Sequence, residues 1–71
     1  MQVVCKVISL NKSQRGIMFN TEKDFTFEDL ILWVYRNCPG DRVISIENNE
    51  VYAKYEDRIE IYSFEENIKT V

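Results

Sequence analysis

The side chains of this 71-residue chain that could do chemistry are carboxylates, tyrosines and two cysteines, because histidine is absent altogether. Without histidine there is no Ser-His or Cys-His nucleophile and no imidazole to serve as a base near neutral pH. Cys5 and Cys38 stand far apart with no C-x-x-C spacing, so neither a zinc site nor a dithiol motif is supported, and each reads as a small buried hydrophobe. Carboxylates pair at Glu28-Asp29, Glu56-Asp57 and Glu65-Glu66. Adjacent positions on a helix or turn do not converge on one substrate, so capping and solvation account for them better than acid-base catalysis does. Gly16 and Gly40, the only glycines, make no phosphate-binding loop. No enzymatic activity, metal or cofactor is expected.

What remains is binding, and charge bounds the kind. The formal net charge is -3, but residues 1 to 40 carry five Lys/Arg against four Asp/Glu, whereas residues 41 to 66 carry three against eight. Direct binding to nucleic acid or to an anionic membrane needs concentrated positive charge, so neither is expected. The acidic half offers a different chemistry. Same-face residues two apart on a strand lie about 6.6 to 6.8 Å from each other, close to twice the phosphate rise along one DNA strand. Glu47, Glu50, Glu56, Asp57, Glu60, Glu65 and Glu66 are thus candidates for a row of negative charge that a basic nucleic-acid-binding protein would accept in place of phosphates. The plainer alternative is an acidic surface that keeps the chain soluble.

The element that must organise these residues is the stretch from Asp24 to Gly40. Thr26 can cap the helix by accepting from the Asp29 N–H while the Asp29 carboxylate reaches back to the Thr26 N–H, and Glu28 and Asp29 complement the positive end of the helix dipole. Phe25 and Leu30 are spaced for a hydrophobic staple. Pro39 and Gly40 end the helix near Arg36 or Asn37. Phe27, Leu30, Ile31 and Val34 define one buried face, but Leu32, Trp33 and Tyr35 make the helix apolar almost all round, which implies cover on two sides. Either the segment carrying Ile17, Met18 and Phe19 supplies the second cover or another subunit does. A chain this short buries only about 60% of its unfolded surface, which favours a homodimer with Leu32, Trp33 and Tyr35 at its interface.

The remainder reads as strand, giving an α+β domain, residues 1–71, with an antiparallel sheet of three to five strands and one helix on one face. Met1 to Leu10 is a strand with Val3, Cys5 and Val7 on one side and Val4, Ile8 and Leu10 on the other; Gly16 to Asn20 is a candidate return strand. Asn48-Asn49 is read as a two-residue hairpin loop, since asparagine tolerates the left-handed region. For the next hairpin, a two-residue loop would set Ala53 opposite Glu60 and aim a carboxylate at the core, so a three-residue loop, Glu56-Asp57-Arg58, is preferred. That gives strands Arg42 to Glu47, Glu50 to Tyr55 and Ile59 to Phe64, with Ile44, Ile46, Val51, Ala53 and Tyr55 toward the helix. Tyr52, Tyr62 and Val43, with Phe64 as a further candidate, then form an aromatic stripe on the far face, the composition of an interface centre with a charged rim.

In size, acidity, aromatic content and lack of catalytic residues, the whole chain resembles the small early proteins with which bacteriophages disable host machinery, including DNA mimics that block nucleoid proteins of the HU type. The resemblance, which rests on composition and carries no residue roles, implies an inhibitor that occupies the nucleic-acid-binding surface of a basic host protein; the acidic row and the far-face tyrosines supply the candidate contact set, Glu47, Glu50, Tyr52, Glu56, Asp57, Glu60, Tyr62, Glu65 and Glu66. The alternative is a self-associating structural or regulatory homodimer. With no secretory signal and no apolar run near the roughly 20 residues of a membrane span, a cytoplasmic location and reduced cysteines are expected.

Overall fold

The computed structural model describes residues 1–65. Its elements are β1 (Gln2–Ser9), β2 (Ser13–Asn20), α1 (Phe27–Asn37), β3 (Asp41–Ser45), β4 (Glu50–Lys54) and β5 (Arg58–Glu65). The strands form one sheet in the order β2-β1-β5-β4-β3, antiparallel at every pairing. β2 and β3 are the two edges, so the segment joining them must cross the whole sheet. Four inter-strand spacings come to about 19 Å, and the 11 residues of α1 rise about 16 Å. The helix therefore matches the crossing it makes, and it covers one face only.

The α+β architecture and the helix start are as the sequence implies. Thr26 Oγ1 accepts from the Asp29 N–H at 3.2 Å and the Thr26 N–H donates to Asp29 Oδ2 at 2.8 Å, closing the capping box. Thr26→Ala is expected to lower stability by about 0.5 to 2 kcal/mol, read as a fall in melting temperature; an unchanged melting point would refute the cap. At the other end, Arg42 on β3 donates from Nη1 to the carbonyl oxygens of Cys38 at 2.7 Å and Tyr35 at 3.1 Å. A cation there meets the negative end of the helix dipole and satisfies carbonyls the helix leaves unpaired.

Leu30 and Val34, one turn apart, are fully buried against Val3 and Cys5 of β1, Val51 and Ala53 of β4 and Tyr62 of β5. Phe27 and Ile31 pack at the margin of this core. Part of the second side of the helix, at Trp33, is covered from within the chain, while Leu32 and Tyr35 stay exposed. Phe19 on β2 meets Trp33 at 5.0 Å between ring centroids and Phe25 at 5.8 Å, and Phe25 meets Phe64 at 6.0 Å. A bulge aims Phe19 there: Val3 pairs with Phe19 and Val4 with Ile17, leaving Met18 over. Without the extra residue Phe19 and Ile17 would share a face; with it, Phe19 turns toward the helix and Ile17 away.

Two registers differ from expectation. β3 and β4 pair with Ser45 opposite Glu50 and Ile44 opposite Val51, so the loop is four residues, Ile46 to Asn49, rather than two. The Asn49 N–H bonds the Ile46 carbonyl at 3.3 Å, and Asn49 alone among non-glycine described residues has positive φ, 53°. The asparagine signal was sound, but a type I-like turn before the left-handed residue needs the longer loop. The slip is two residues, so Ile44 keeps its face, while Ile46 leaves the sheet.

The β4–β5 difference reverses faces. Lys54 pairs with Ile59, Ala53 with Glu60 and Val51 with Tyr62, around the two-residue loop Glu56-Asp57 that the carboxylate had argued against. Glu60 and Tyr62 therefore lie under the helix, and Ile59 and Ile61 lie on the opposite face. The expected Tyr52–Tyr62 stripe does not exist. Its physical reason is that Glu60 is not a bare charge: Oε1 accepts from the Tyr62 hydroxyl at 2.9 Å and Oε2 from Arg58 Nε at 2.9 Å.

Candidate functional site: the open sheet face

Under the helix, the chemistry-bearing residues do converge. The Tyr62 hydroxyl, in a residue only 4% exposed, donates to Glu60 and accepts from the Cys38 thiol at 3.3 Å, while Cys5 lies opposite Tyr62 across the β1–β5 pairing. Both cysteines are free and buried. Burial, with the hydrogen bonds to Cys38 and Glu60, pushes the Tyr62 phenol far above its ordinary range, and burial pushes the Cys5 thiol up. A nucleophile or base would need the opposite shifts. Tyr62 and Cys5 are held in their neutral, inert forms, which makes this cluster a piece of core.

The same shift sets an alkaline limit. Tyr62 ionises at about pH 10 in the unfolded chain and much higher when folded, so its contribution is complete below that pH and is lost as pH rises above it. Urea midpoints measured from neutral pH to pH 11 are expected to fall from about pH 10 upward, and Tyr62→Phe is expected to flatten that fall.

The other face of the sheet has no covering element among the described residues. The pairings arrange it in rows running from β2 to β3. Ser13, Ile8, Ile59, Lys54 and Asp41 form the first row. Arg15, Lys6, Ile61, Tyr52 and Val43 form the second. Ile17, Val4, Ser63, Glu50 and Ser45 form the third, and Gln2 and Glu65 lie beyond. An apolar band of Ile8, Ile59, Ile61, Tyr52 and Val43 thus crosses four strands, with Ile8 and Val43 each more than two-fifths exposed.

The charges around the band are placed by the same grid. Arg15 on β2 pairs with Glu65 on β5, and the line between them passes over Val4 on β1. That strap explains why Val4 is only 3% exposed on a face with no second layer among the described residues. Tyr52 donates to Glu50 at 2.9 Å, and this hydrogen bond raises the phenol's pKa. Lys54 and Asp41 are cross-strand neighbours.

The carboxylates named from the sequence are dispersed. Glu50 and Glu65 lie on the open face, Glu60 lies beneath the helix, Glu47 is in the β3–β4 loop, and Glu56 and Asp57 form the β4–β5 turn at the other end of β4. Glu66 lies outside the described residues, as does the question whether the chain beyond β5 adds a strand. Of the helix residues assigned to a dimer interface, Trp33 is instead packed on Phe19 and on Tyr62 at 5.6 Å; Leu32 and Tyr35 are exposed. Tyr35 is partly engaged by the Arg42 guanidinium 4.3 Å from its ring centre. The residues missed by sequence reasoning are Ile59 and Ile61, whose alternation with Arg58, Glu60 and Tyr62 was visible but assigned to the opposite face.

No protein-family model matches this chain, and no curated protein or solved structure does. Among the described residues, no three or more Cys, Asp or Glu side chains are grouped to hold a metal ion, and no helix is long and apolar enough to cross a membrane.

Proposed function

We propose that the protein is a non-catalytic protein-binding module whose contact surface is the open face of its sheet. The observation that carries this reading is the band Ile8, Ile59, Ile61, Tyr52 and Val43, over which no element among the described residues packs. An apolar patch rimmed by charges, with one aromatic anchor near its centre, has the make-up of a protein interface. The alternative form, in which the acidic half imitates a nucleic-acid backbone for a basic partner, draws less support from the geometry. Its carboxylates fall on two faces and at both ends of the sheet, and Glu60 and Glu65 are already paired to arginines.

The test is a benzophenone amino acid placed at Tyr52 in one variant and at Leu32 in another, irradiated in expressing cells. Protein adducts of discrete mass from the Tyr52 position, lost on adding Ile61→Lys, are the expected result. Adducts from the Leu32 position alone, or none, would overturn the reading.

A further inference from the structure

The charge pattern of the open face indicates what covers it. Resting on the reading of that face as the contact surface, we propose that its occupant is a second copy of this chain, packed face to face about a twofold axis that runs between the two sheets, opposite the middle of each. A twofold interface uses the same patch on both protomers, so each charge must meet its opposite after the rotation. Lys6 and Glu50, neither of them in an ion pair among the described residues, have that property. Lys6 sits on β1 in the row of Ile61, and Glu50 sits on β4 in the row of Ser63.

With β1 and β4 flanking β5 at equal strand spacings, Lys6 and Glu50 are equidistant from the point midway between Ile61 and Ser63. An axis through that point, lying between the two sheets and perpendicular to the Lys6–Glu50 line, exchanges them. Lys6 then faces the partner's Glu50, and Glu50 faces the partner's Lys6. The same rotation carries Ile61 close to the partner's Tyr52, at the centre of the apolar band, and carries Glu65 to the position of the partner's Ile17 on β2, one row from the partner's Arg15.

The axis that exchanges this pair also lays the apolar band on itself: Ile59 falls on the partner's Val43, and Lys54 comes beside the partner's Asp41. Among the described residues Lys6 has no ion-pair partner within its own chain, so it is available for the contact.

The test uses sedimentation velocity on the purified chain and two charge reversals, Lys6→Glu and Glu50→Lys. Both positions lie on the open face, outside the core, and far-UV circular dichroism checks that each variant folds. The wild type is expected to dimerise. Each reversal alone replaces two attractive contacts by two repulsive ones and is expected to weaken the dimer about tenfold or more. An equimolar mixture of the two variants restores opposite charges at both contacts and is expected to form a heterodimer as tight as the wild type.

A wild type that stays monomeric, or a dimer indifferent to both reversals, would overturn the proposal. If the purified chain is monomeric while the Tyr52 benzophenone captures a different protein, the second copy is the wrong occupant and the contact-surface reading survives. No adduct from Tyr52 would remove both.

Discussion

Tyr62→Ala is expected to cost about 3 to 5 kcal/mol, the range for deleting a large aromatic side chain from a core. The ring is buried, packs against Trp33 at 5.6 Å, and lies between the two cysteines. Its loss opens a cavity at the point where β1, β5 and α1 meet. It also strands Glu60 Oε1 and the Cys38 thiol, which both lose their hydroxyl partner. Domains of this length have roughly 4 to 10 kcal/mol in total, so the variant is left close to unfolding. Tyr62→Phe keeps the ring and removes only the hydroxyl; its expected cost is about 1 to 3 kcal/mol, the penalty for leaving buried polar groups unsatisfied. Urea denaturation followed by far-UV circular dichroism separates the two. If Tyr62 stood on the open face, alanine would barely move the midpoint, so this pair of variants also tests the β4–β5 register.

Gly40→Ala and Gly16→Ala are expected to change stability in opposite directions. Neither glycine has a positive φ, so alanine meets no backbone strain at either position. Replacing such a glycine ordinarily stabilises by about 0.4 to 1 kcal/mol, because the unfolded chain loses freedom. At Gly16 nothing lies within 4 Å of the added carbon, and that modest gain is the expected result. At Gly40 the added carbon would sit 2.7 Å from the Lys54 carbonyl oxygen and 3.0 Å from two carbons of the Tyr55 ring. A backbone carbonyl cannot swing aside, so β4 must shift, and overpacking of this kind costs about 1 to 3 kcal/mol. The steric cost exceeds the entropic gain. Equal urea midpoints for the two variants would show that the helix C-terminus does not press on β4 as described.

What could be read from the sequence divides along a physical line. The helix start was legible because the Thr26–Asp29 box closes within four residues, and nothing distant can override so local a geometry. The Asn48-Asn49 turn was legible as to place and as to the need for a left-handed residue, but loop length is fixed by how the flanking strands fit the sheet. The β4–β5 register was misread because Glu60 was treated as a lone charge. Arg58 and Tyr62 flank it at two-residue spacing on the same strand face, so its partners were in view, and a carboxylate with two donors tolerates a half-buried position. Trp33 reads from the sequence as a subunit-contact residue because its neighbour within the chain, Phe19, depends on a bulge at Met18 that no local pattern announces. The open side of the sheet is accordingly a band of isoleucines around Tyr52 rather than the aromatic stripe of Tyr52 and Tyr62 that the three-residue loop implies.

The strand order also governs how the chain acquires its core. β1–β2 and β3–β4–β5 are each built from neighbouring segments and can form as local hairpins, but β1 pairs with β5 across nearly the entire described length, Gln2 opposite Glu65. Closing so long a loop costs entropy before any contact rewards it. Until that ladder closes, the helix has only half a floor, since Val3 and Cys5 lie on one side of the junction and Val51, Ala53 and Tyr62 on the other. Closure of the β1–β5 ladder is therefore the step expected to come late in folding, and a chain growing from its N-terminus holds β1 without its β5 partner until that strand has emerged.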